Sequence, residues 1–558
     1  MVTRERVGAM PHTTHEVTNQ TPPLVDYNVY GQDAALKEAV AREGAAWAAG
    51  DLFAIGALAG SEEAIAQGFA ANTHEPVLHT HDRYGRRIDE VEFHPAWHWL
   101  MTEAVGHGLH AAPWADARRG AHAARAAKFM VWSQVEAGHG CPISMTYAVV
   151  PALRAQPEVA ARWEGLLTST VYDPGLRLAT EKRGALAGMA MTEKQGGSDV
   201  RANTTRATPL DGGGSGGDYL LTGHKWFCSA PMCDLFLTLA QTPSGLSCFL
   251  VPRVKPDGTR NTFRIQRLKD KLGNRSNASS EIEYDHTYAV MVGAEGRGVK
   301  TIVEMVNCTR LDCVLGTASL MRQAVAQATH HAAYRAAFGR ALVDQPLMQN
   351  VLADLAVESE GATTLALRLA RAADEAPSNA HEAGLKRLGT AVGKYYVCKR
   401  GPMLAAEALE CLGGSGYVEE SIMPRLYREA PLNSVWEGSG NVGCLDVLRA
   451  MGKDPASVAA FFVEVGLAQG GNVYLDKAVS ALHAELRDLD GLEGRARYVV
   501  ERMAQVLQAS LLVRYAPASV SDAYCASRLG GESGLAFGTL PRGADTAAIV
   551  ARARPHLD

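Results

Sequence analysis

Between two long stretches of helical periodicity lies an island of short β-rich runs, residues 188–293, and this break in period constrains the fold more than any other feature. The runs at 219–227, 235–241, 246–251, 262–268 and 279–285 follow one another closely and are separated by Gly, Pro, Asn and Asp. They predict an antiparallel β-domain, closed or nearly so. Before it, residues 34–183 are Ala-rich with apolar positions at helical spacing, which predicts helices. After it, the 3.6 period returns and predicts long helices over 299–333, 345–373 and 381–412, the last ended by Gly413 and Gly414 as C-cap residues. Residues 450–558 read as mainly helical, with a Gly/Pro-punctuated end around 530–543. The order helices, β-domain, bundle is an α+β layout without βαβ alternation, which argues against a doubly wound nucleotide-binding sheet. The resulting division is 1–187, 188–293, 294–450 and 451–558, in keeping with the three or four domains that 558 residues suggest.

With 47% hydrophobic and 21% charged residues the chain has the balance of a soluble globular protein, which excludes disorder as its main character. A net charge of −5 excludes a globally basic nucleic-acid binder. No apolar run approaches the roughly 20 residues of a membrane span, and residues 1–17 lack the apolar core of a leader peptide, so the expected location is the cytoplasm. The ten cysteines are scattered without a C-x-x-C pair and read as reduced, buried thiols, with no structural zinc. His94 and His98 have metal spacing on a helix, and His330-His331 form a doublet, but neither pair has a third ligand nearby, so no metal is expected.

The literal G-x-G-x-x-G at 212–217 is followed by a strand rather than a helix and reads as a flexible turn. More informative is the loop Met191-Thr192-Glu193-Lys194-Gln195-Gly196-Gly197-Ser198-Asp199, whose hydroxyls, amide and glycines suit a polar ring edge or a pyrophosphate. Thirty residues on, Trp226-Phe227-Cys228-Ser229 sets aromatics on a strand with a hydroxyl just past them. Taken alone, the first could be any turn and Trp226 a core residue.

Together these two segments resemble the flavin-contacting part of the acyl-CoA dehydrogenase family. Three further motifs fall in the family's order: Arg335-Ala336-Ala337-Phe338-Gly339 followed by Gln345, Glu410-Cys411-Leu412-Gly413-Gly414-Ser415-Gly416-Tyr417, and Trp436-Glu437-Gly438-Ser439-Gly440-Asn441. Longer matches at 83–98, 134–146, 268–284 and 426–449 resemble the AidB-type branch, associated with the adaptive response to alkylation damage. The resemblance implies an N-terminal helical domain, a central β-barrel, a four-helix bundle and a C-terminal helical extension. It implies FAD as cofactor, held by Met191, Thr192, Gln195, Gly197, Ser198, Trp226, Phe227 and Ser229 with Gly438, Ser439 and Asn441. Arg335, Phe338, Gln345, Gly413, Gly414 and Tyr417 would reach the FAD of a neighbouring subunit, so a homo-oligomer, by family a tetramer, is expected.

Glu437 is the expected catalytic base for the α-proton of an acyl thioester such as an acyl-CoA, with Thr192, Ser198, Ser229, Arg310 and Gly438 near the substrate. The α-proton is too weakly acidic for a carboxylate in water, so the base must be positioned and partly desolvated. Some relatives carry the base on the first bundle helix instead; Thr309 occupies that place here and cannot serve. For Arg310, an ordinary ion pair with Asp312 or Glu304 is the competing expectation.

AidB-type relatives are associated with double-stranded DNA through the C-terminal region. Here residues 451–558 hold eleven Lys and Arg against twelve Asp and Glu. That charge does not support DNA binding unless one face collects arginines such as Arg495, Arg497, Arg502 and Arg514. The expected function is α,β-dehydrogenation of a short or branched acyl thioester. The alternatives are a DNA-associated flavoprotein with vestigial dehydrogenation and a flavin oxidase acting on a non-CoA substrate, which an Asp base would suit better.

Overall fold

The computed structural model describes residues 14–488 and 490–556; the first thirteen, part of the stretch read for a leader, lie outside them. Helices run from Ala34–Arg42 to Pro157–Leu167, but β1 (Val77–His81) and β2 (Arg87–Glu92) interrupt them as an antiparallel hairpin where only helices were expected. The turn between them is set locally: Asp82 Oδ1 accepts from the N–H groups of Tyr84 and Arg86 at 2.8 and 2.9 Å, and Gly85 takes φ +78°. Its stability is long-range. Buried Asp89 accepts from the Ile265 N–H at 3.1 Å, and the Asp89 carbonyl accepts from Arg253 at 2.9 Å. Helical periodicity in a window cannot register a partner 176 residues away.

The β-domain comprises β3 (Ala187–Ala190), β4 (Arg206–Pro209), β5 (Asp218–Ser229), β6 (Leu235–Thr242), β7 (Gly245–Pro252), β8 (Phe263–Leu268) and β9 (Ser279–Val292). The pairings β6-β4-β5-β9-β7-β6 return to their start, so the sheet is closed, with β3 beside β6 and β8 beside β9. It is not purely antiparallel: β3 and β4 both run parallel to β6, because each reaches the sheet after a loop rather than a hairpin. β6 and β7 are almost wholly buried, which explains their near-continuous apolar sequence. The glycine-rich 212–217 segment forms the connection from β4 to β5, as a turn.

The first bundle helix is Gly298–Tyr334, the second Pro346–Glu375 and the third Ala380–Cys411; a fourth, Gly440–Lys453, packs on the third. Leu412 is the C-cap of the third and Gly413 follows it at φ +60°, the left-handed position that a side chain disfavours. β10 (Ala336–Ala337) and β11 (Arg340–Ala341) form a small hairpin after the first helix.

The C-terminal helices Pro455–Gly466, Val473–Arg487, Ala496–Tyr515, Ala518–Tyr524 and Thr546–Ala553 are fastened to the bundle by buried arginines. Arg368 of the second helix donates to Glu382 at 2.8 and 2.9 Å and to Glu464 of the extension at 3.1 and 2.7 Å. Arg552 joins Glu38 and Glu360, tying the last helix to the first and to the bundle. Removing Arg368 leaves buried Glu382 without a cation and Glu464 with Arg514 alone. Arg368→Met is therefore expected to cost about 3–5 kcal/mol in urea unfolding and to open the extension to protease; an unchanged unfolding midpoint would contradict the staple.

Candidate active site

A bulge shapes the barrel end of the site. In β5 the register against β9 slips between Lys225 and Cys228, so Trp226 and Phe227 leave the ladder. The Trp226 N–H turns to the Thr192 carbonyl at 2.8 Å, which binds the two flavin-like segments to each other, and the Lys194 N–H donates to His224 Nε2 at 2.9 Å. Phe227 is 48% exposed. The ammonium of Lys269 lies 3.3 Å from the centroid of the Trp226 ring. Thr192 packs so closely beneath Gly197 that a Cβ there would stand 2.3 Å from its hydroxyl oxygen. Ser198 is exposed, Met191 accepts from Asn203 through its carbonyl, and the Gln195 amide is spent on Glu193 and the Ala202 carbonyl.

Glu193 holds this loop from within. Its buried carboxylate accepts from Lys225 at 2.9 Å, from the N–H and hydroxyl of Thr204 at 2.7 and 3.0 Å, and from those of Thr205 at 3.1 and 2.6 Å. Burial alone would raise its proton affinity, but the Lys225 charge and these donors outweigh it and hold the carboxyl well below the usual range.

Glu437 sits in the turn before the fourth bundle helix with φ +56°, followed by Gly438 at φ +100°. A left-handed residue other than Gly costs of order 1 kcal/mol, so the surroundings must impose it. The Glu437 carbonyl accepts from Arg310 Nε at 3.0 Å, while Lys394 Nζ donates to the carbonyls on either side, Trp436 at 2.8 Å and Gly438. The Glu437 side chain meets the Thr309 hydroxyl at 2.7 Å. Thr309 also lies 3.0 Å from the Val306 carbonyl. Having one proton, it donates to the ionised carboxylate, or turns to Val306 and accepts from the protonated one. Among the described residues the Glu437 N–H has no acceptor. Burial pushes the Glu437 carboxyl above its ordinary value, against the opposing pull of Thr309, Arg310 and Lys394.

Arg310 pairs with Asp446 at 2.7 Å, not with Asp312 or Glu304; Asp446 also takes Arg387, while Asp312 is claimed by buried Arg125. Cys141, at the start of helix Gly140–Leu153, is buried nearby. Burial pushes its thiol up to about 12, with Asn277, Lys271, Glu437 and Ser229 as the polar groups that act on it. Ser229 of the barrel and Glu437 of the bundle thus both lie in the neighbourhood of Cys141.

The other motifs lie elsewhere. Arg335 is 26 residues beyond Thr309 on the same helix, about 39 Å at 1.5 Å per residue. Gly413 lies about 28 Å beyond Lys394 along the third helix by the same measure. Both helices point the same way, since Thr309 and Lys394 meet one turn and, farther along each helix, Thr317 meets Cys398 at 3.3 Å. At that far end Phe338 and Gly339 form the two-residue turn of the β10–β11 hairpin, at φ +53° and +81°, with Phe338 97% exposed; Tyr417 is 80% exposed. Gln345 donates to the Ala337 carbonyl and Arg335 to the Asn19 carbonyl. Ser439 is the N-cap residue of the fourth helix, and Asn441 accepts from Arg497 of the extension at 2.8 Å.

Of the remaining arginines singled out in the tail, Arg495 pairs with Glu485, Arg514 with Glu464, and Arg502 donates to Gln505 and the Arg528 carbonyl. His94 accepts from the Ala96 N–H, and His98 meets the Tyr172 hydroxyl; His330 and His331 contact Pro22 and Thr21. Sequence reading passed over Lys394. Its signal was a lysine on the otherwise apolar stripe Ala391, Lys394, Cys398 of a buried helix.

The chain matches three family descriptions: "Adaptive response protein AidB N-terminal domain" over residues 19–174, "Acyl-CoA dehydrogenase, middle domain" over 188–287 and "Acyl-CoA dehydrogenase, C-terminal domain" over 296–452. It is 47% identical to the "Putative acyl-CoA dehydrogenase AidB" of Escherichia coli, across 94% of this chain and 96% of that one. It is 30% identical to "Acyl-CoA dehydrogenase family member 11" of Caenorhabditis elegans, across 80% and 77%. The crystal structure of C. elegans ACDH-11 in complex with C11-CoA superposes with a TM-score of 0.82 at 27% identity, covering 92% of this chain and 93% of that one.

The Glu193 network makes a prediction with a definite sign. Its carboxyl is held below the ordinary Glu value of about 4.3, so its contribution to stability is complete above that pH and is lost as pH falls through the lowered value. Glu193→Gln, which leaves buried Lys225 without its acid, should lose about 3 kcal/mol at pH 7. In urea unfolding the gap to wild type should close on acidification; a gap that does not change with pH would contradict the ionic account.

Proposed function

The chain belongs to the acyl-CoA dehydrogenase family, in its AidB branch, and is an FAD-dependent oxidoreductase of that type; from this we propose that it removes the α and β hydrogens of a short or branched acyl thioester, with Glu437 as the base. The observation that carries the reading is the Glu437 turn: a half-buried carboxylate fixed in a left-handed conformation, raised by burial and hydrogen-bonded by Thr309. A desolvated carboxylate binds a proton more strongly than one in water, which is what abstraction from carbon demands. The free Glu437 N–H is the chain's own donor toward the thioester oxygen, where charge accumulates as the proton leaves. Once Glu437 is protonated, the Thr309 hydroxyl accepts from it, so the neutral acid keeps a partner.

The residues present fit FAD. Half-exposed Trp226 and exposed Phe227 offer an apolar wall, Thr192, Ser198 and Ser229 offer hydroxyls at its edge, and Gly197 lets the loop pack directly on Thr192. Met191, Gln195, Gly438, Ser439 and Asn441 complete the proposed set. When bound, FAD supplies the acceptor for the β-hydride. Arg335, Phe338, Gln345, Gly413, Gly414 and Tyr417 are too far along the bundle to serve the same cleft as Glu437, which supports their reaching the FAD of another copy in a homo-oligomer, a tetramer by family. A nearly fully exposed Phe338 on a strained turn is costly unless a second copy covers it. The acyl-CoA complex of the C. elegans relative supports a CoA thioester as substrate.

The nucleic-acid alternative finds less support. Arg495, Arg497, Arg502 and Arg514 are each engaged with partners inside the chain, not gathered for phosphate. A carboxylate one methylene longer than Asp argues against the oxidase alternative.

Anaerobic mixing of the flavin-loaded protein with a panel of acyl-CoA thioesters should bleach the flavin with at least one of them. The rate should fall on the acid side with an apparent pKa above the ordinary Glu value, because burial raises Glu437 and only the ionised form accepts a proton. Glu437→Gln should lower the rate by at least a thousandfold with flavin retained. Unchanged absorbance with every thioester would sink the dehydrogenase reading, and a persistent rate in the variant would mean another base.

A further inference from the structure

Lys394 is buried in the third bundle helix, yet no carboxylate lies within ion-pair distance of it among the described residues. The contrast with its neighbour is instructive. Arg310, which holds the Glu437 carbonyl, has its charge met by Asp446, and Asp446 is shared with Arg387. Lys394 instead places its ammonium on two backbone carbonyls, those of Trp436 and Gly438, which flank the base. Three successive carbonyls of one turn are therefore captured by two cations from two different helices. A buried charge without a counter-ion is costly, and carbonyl dipoles alone compensate it only in part.

We propose that Lys394 is a positioning residue for the reaction: from inside the bundle it pins the carbonyls on both sides of Glu437, and it supplies the uncompensated positive charge against which the base ionises. The proposal rests on the reading of Glu437 as base. The groups that face Glu437 are few and each is accounted for. Thr309, Arg310 and Cys313 come from the first bundle helix, Lys394 from the third, and Cys141 from helix Gly140–Leu153. Both thiols are raised by burial and stay neutral, and Arg310 already has Asp446. Arg310 and Lys394 both favour the ionised carboxyl, and of the two Lys394 is the one with no carboxylate partner of its own among the described residues. Without it, Glu437 holds its proton to a higher pH, and the turn loses the anchor that keeps a non-glycine residue at φ +56°.

The test uses the full-length, flavin-loaded protein and the variants Lys394→Met, of similar shape but uncharged, and Lys394→Arg. Hydrogen exchange read by mass spectrometry should speed up at least tenfold in peptides covering 435–441 of Lys394→Met, while peptides from the third helix and the β-barrel keep their wild-type rates. The acid limb of thioester-driven flavin reduction should move up by about one pH unit, with kcat falling and KM little changed, and Lys394→Arg should restore the limb. Wild-type exchange at the turn together with an unmoved acid limb would overturn the proposal. So would loosening spread evenly along the third helix, which marks a merely structural lysine. If no thioester reduces the wild-type flavin, the base reading fails, and the exchange data alone decide whether Lys394 pins the turn.

Discussion

A carboxylate proposed to take a proton from carbon must be shielded from water and still be able to ionise, and the Trp436–Ser439 turn suits both demands by being held rather than by being flexible. Its left-handed Glu437 is imposed by cations that reach its backbone from two helices, and its carboxyl is matched to a threonine hydroxyl on the first of them. The rest of the architecture serves that turn. The bundle helices set the spacing of Thr309, Arg310 and Lys394; helix Gly140–Leu153 places Cys141 near it; and the closed barrel brings Ser229 to the same neighbourhood. The barrel end is fixed in turn by Glu193, whose lowered proton affinity reports how completely its charge is compensated.

The length of the bundle has a consequence of its own. Helices of 37 and 32 residues hold the Glu437 turn through Thr309 and Lys394 in their first halves, and the Arg335–Phe338 and Gly413–Tyr417 elements follow their far ends. A single cleft cannot use both ends. The exposed aromatics Phe338 and Tyr417 at the far end are where the second copy proposed above would pack.

Much of this was legible in the sequence, and the reasons are local. Five β-rich runs stand out because their turns are marked by Gly, Pro, Asn and Asp, and the three long helices because their apolar period persists for eight or more turns. The strand expected over 279–285 continues to Val292 past a residue at positive φ, His286, which hid its second half. The β1–β2 hairpin was missed because Asp89, Arg87 and their partners in β8 are far apart in sequence. Arg310 was placed near the site but given the wrong acids: Asp312, two residues on, points across the helix to Arg125, while the true partner Asp446 comes from a helix beyond the catalytic turn. Charge counting in the tail could not tell that its arginines are internal staples, with Arg514 and Arg528 bound to buried acids of the extension and the bundle.

The central claim is that Glu437 removes the α-proton. It is tested most directly by separating that step from hydride transfer, using an acyl-CoA thioester with exchangeable α-protons and no β-hydrogen, incubated with the flavin-loaded protein in D2O and followed by proton NMR. The account predicts loss of the α-proton signal with the wild-type protein and its persistence with Glu437→Gln. An α-proton that stays in place with flavin-loaded wild-type protein and bound thioester, or that exchanges equally fast in both proteins, would contradict it.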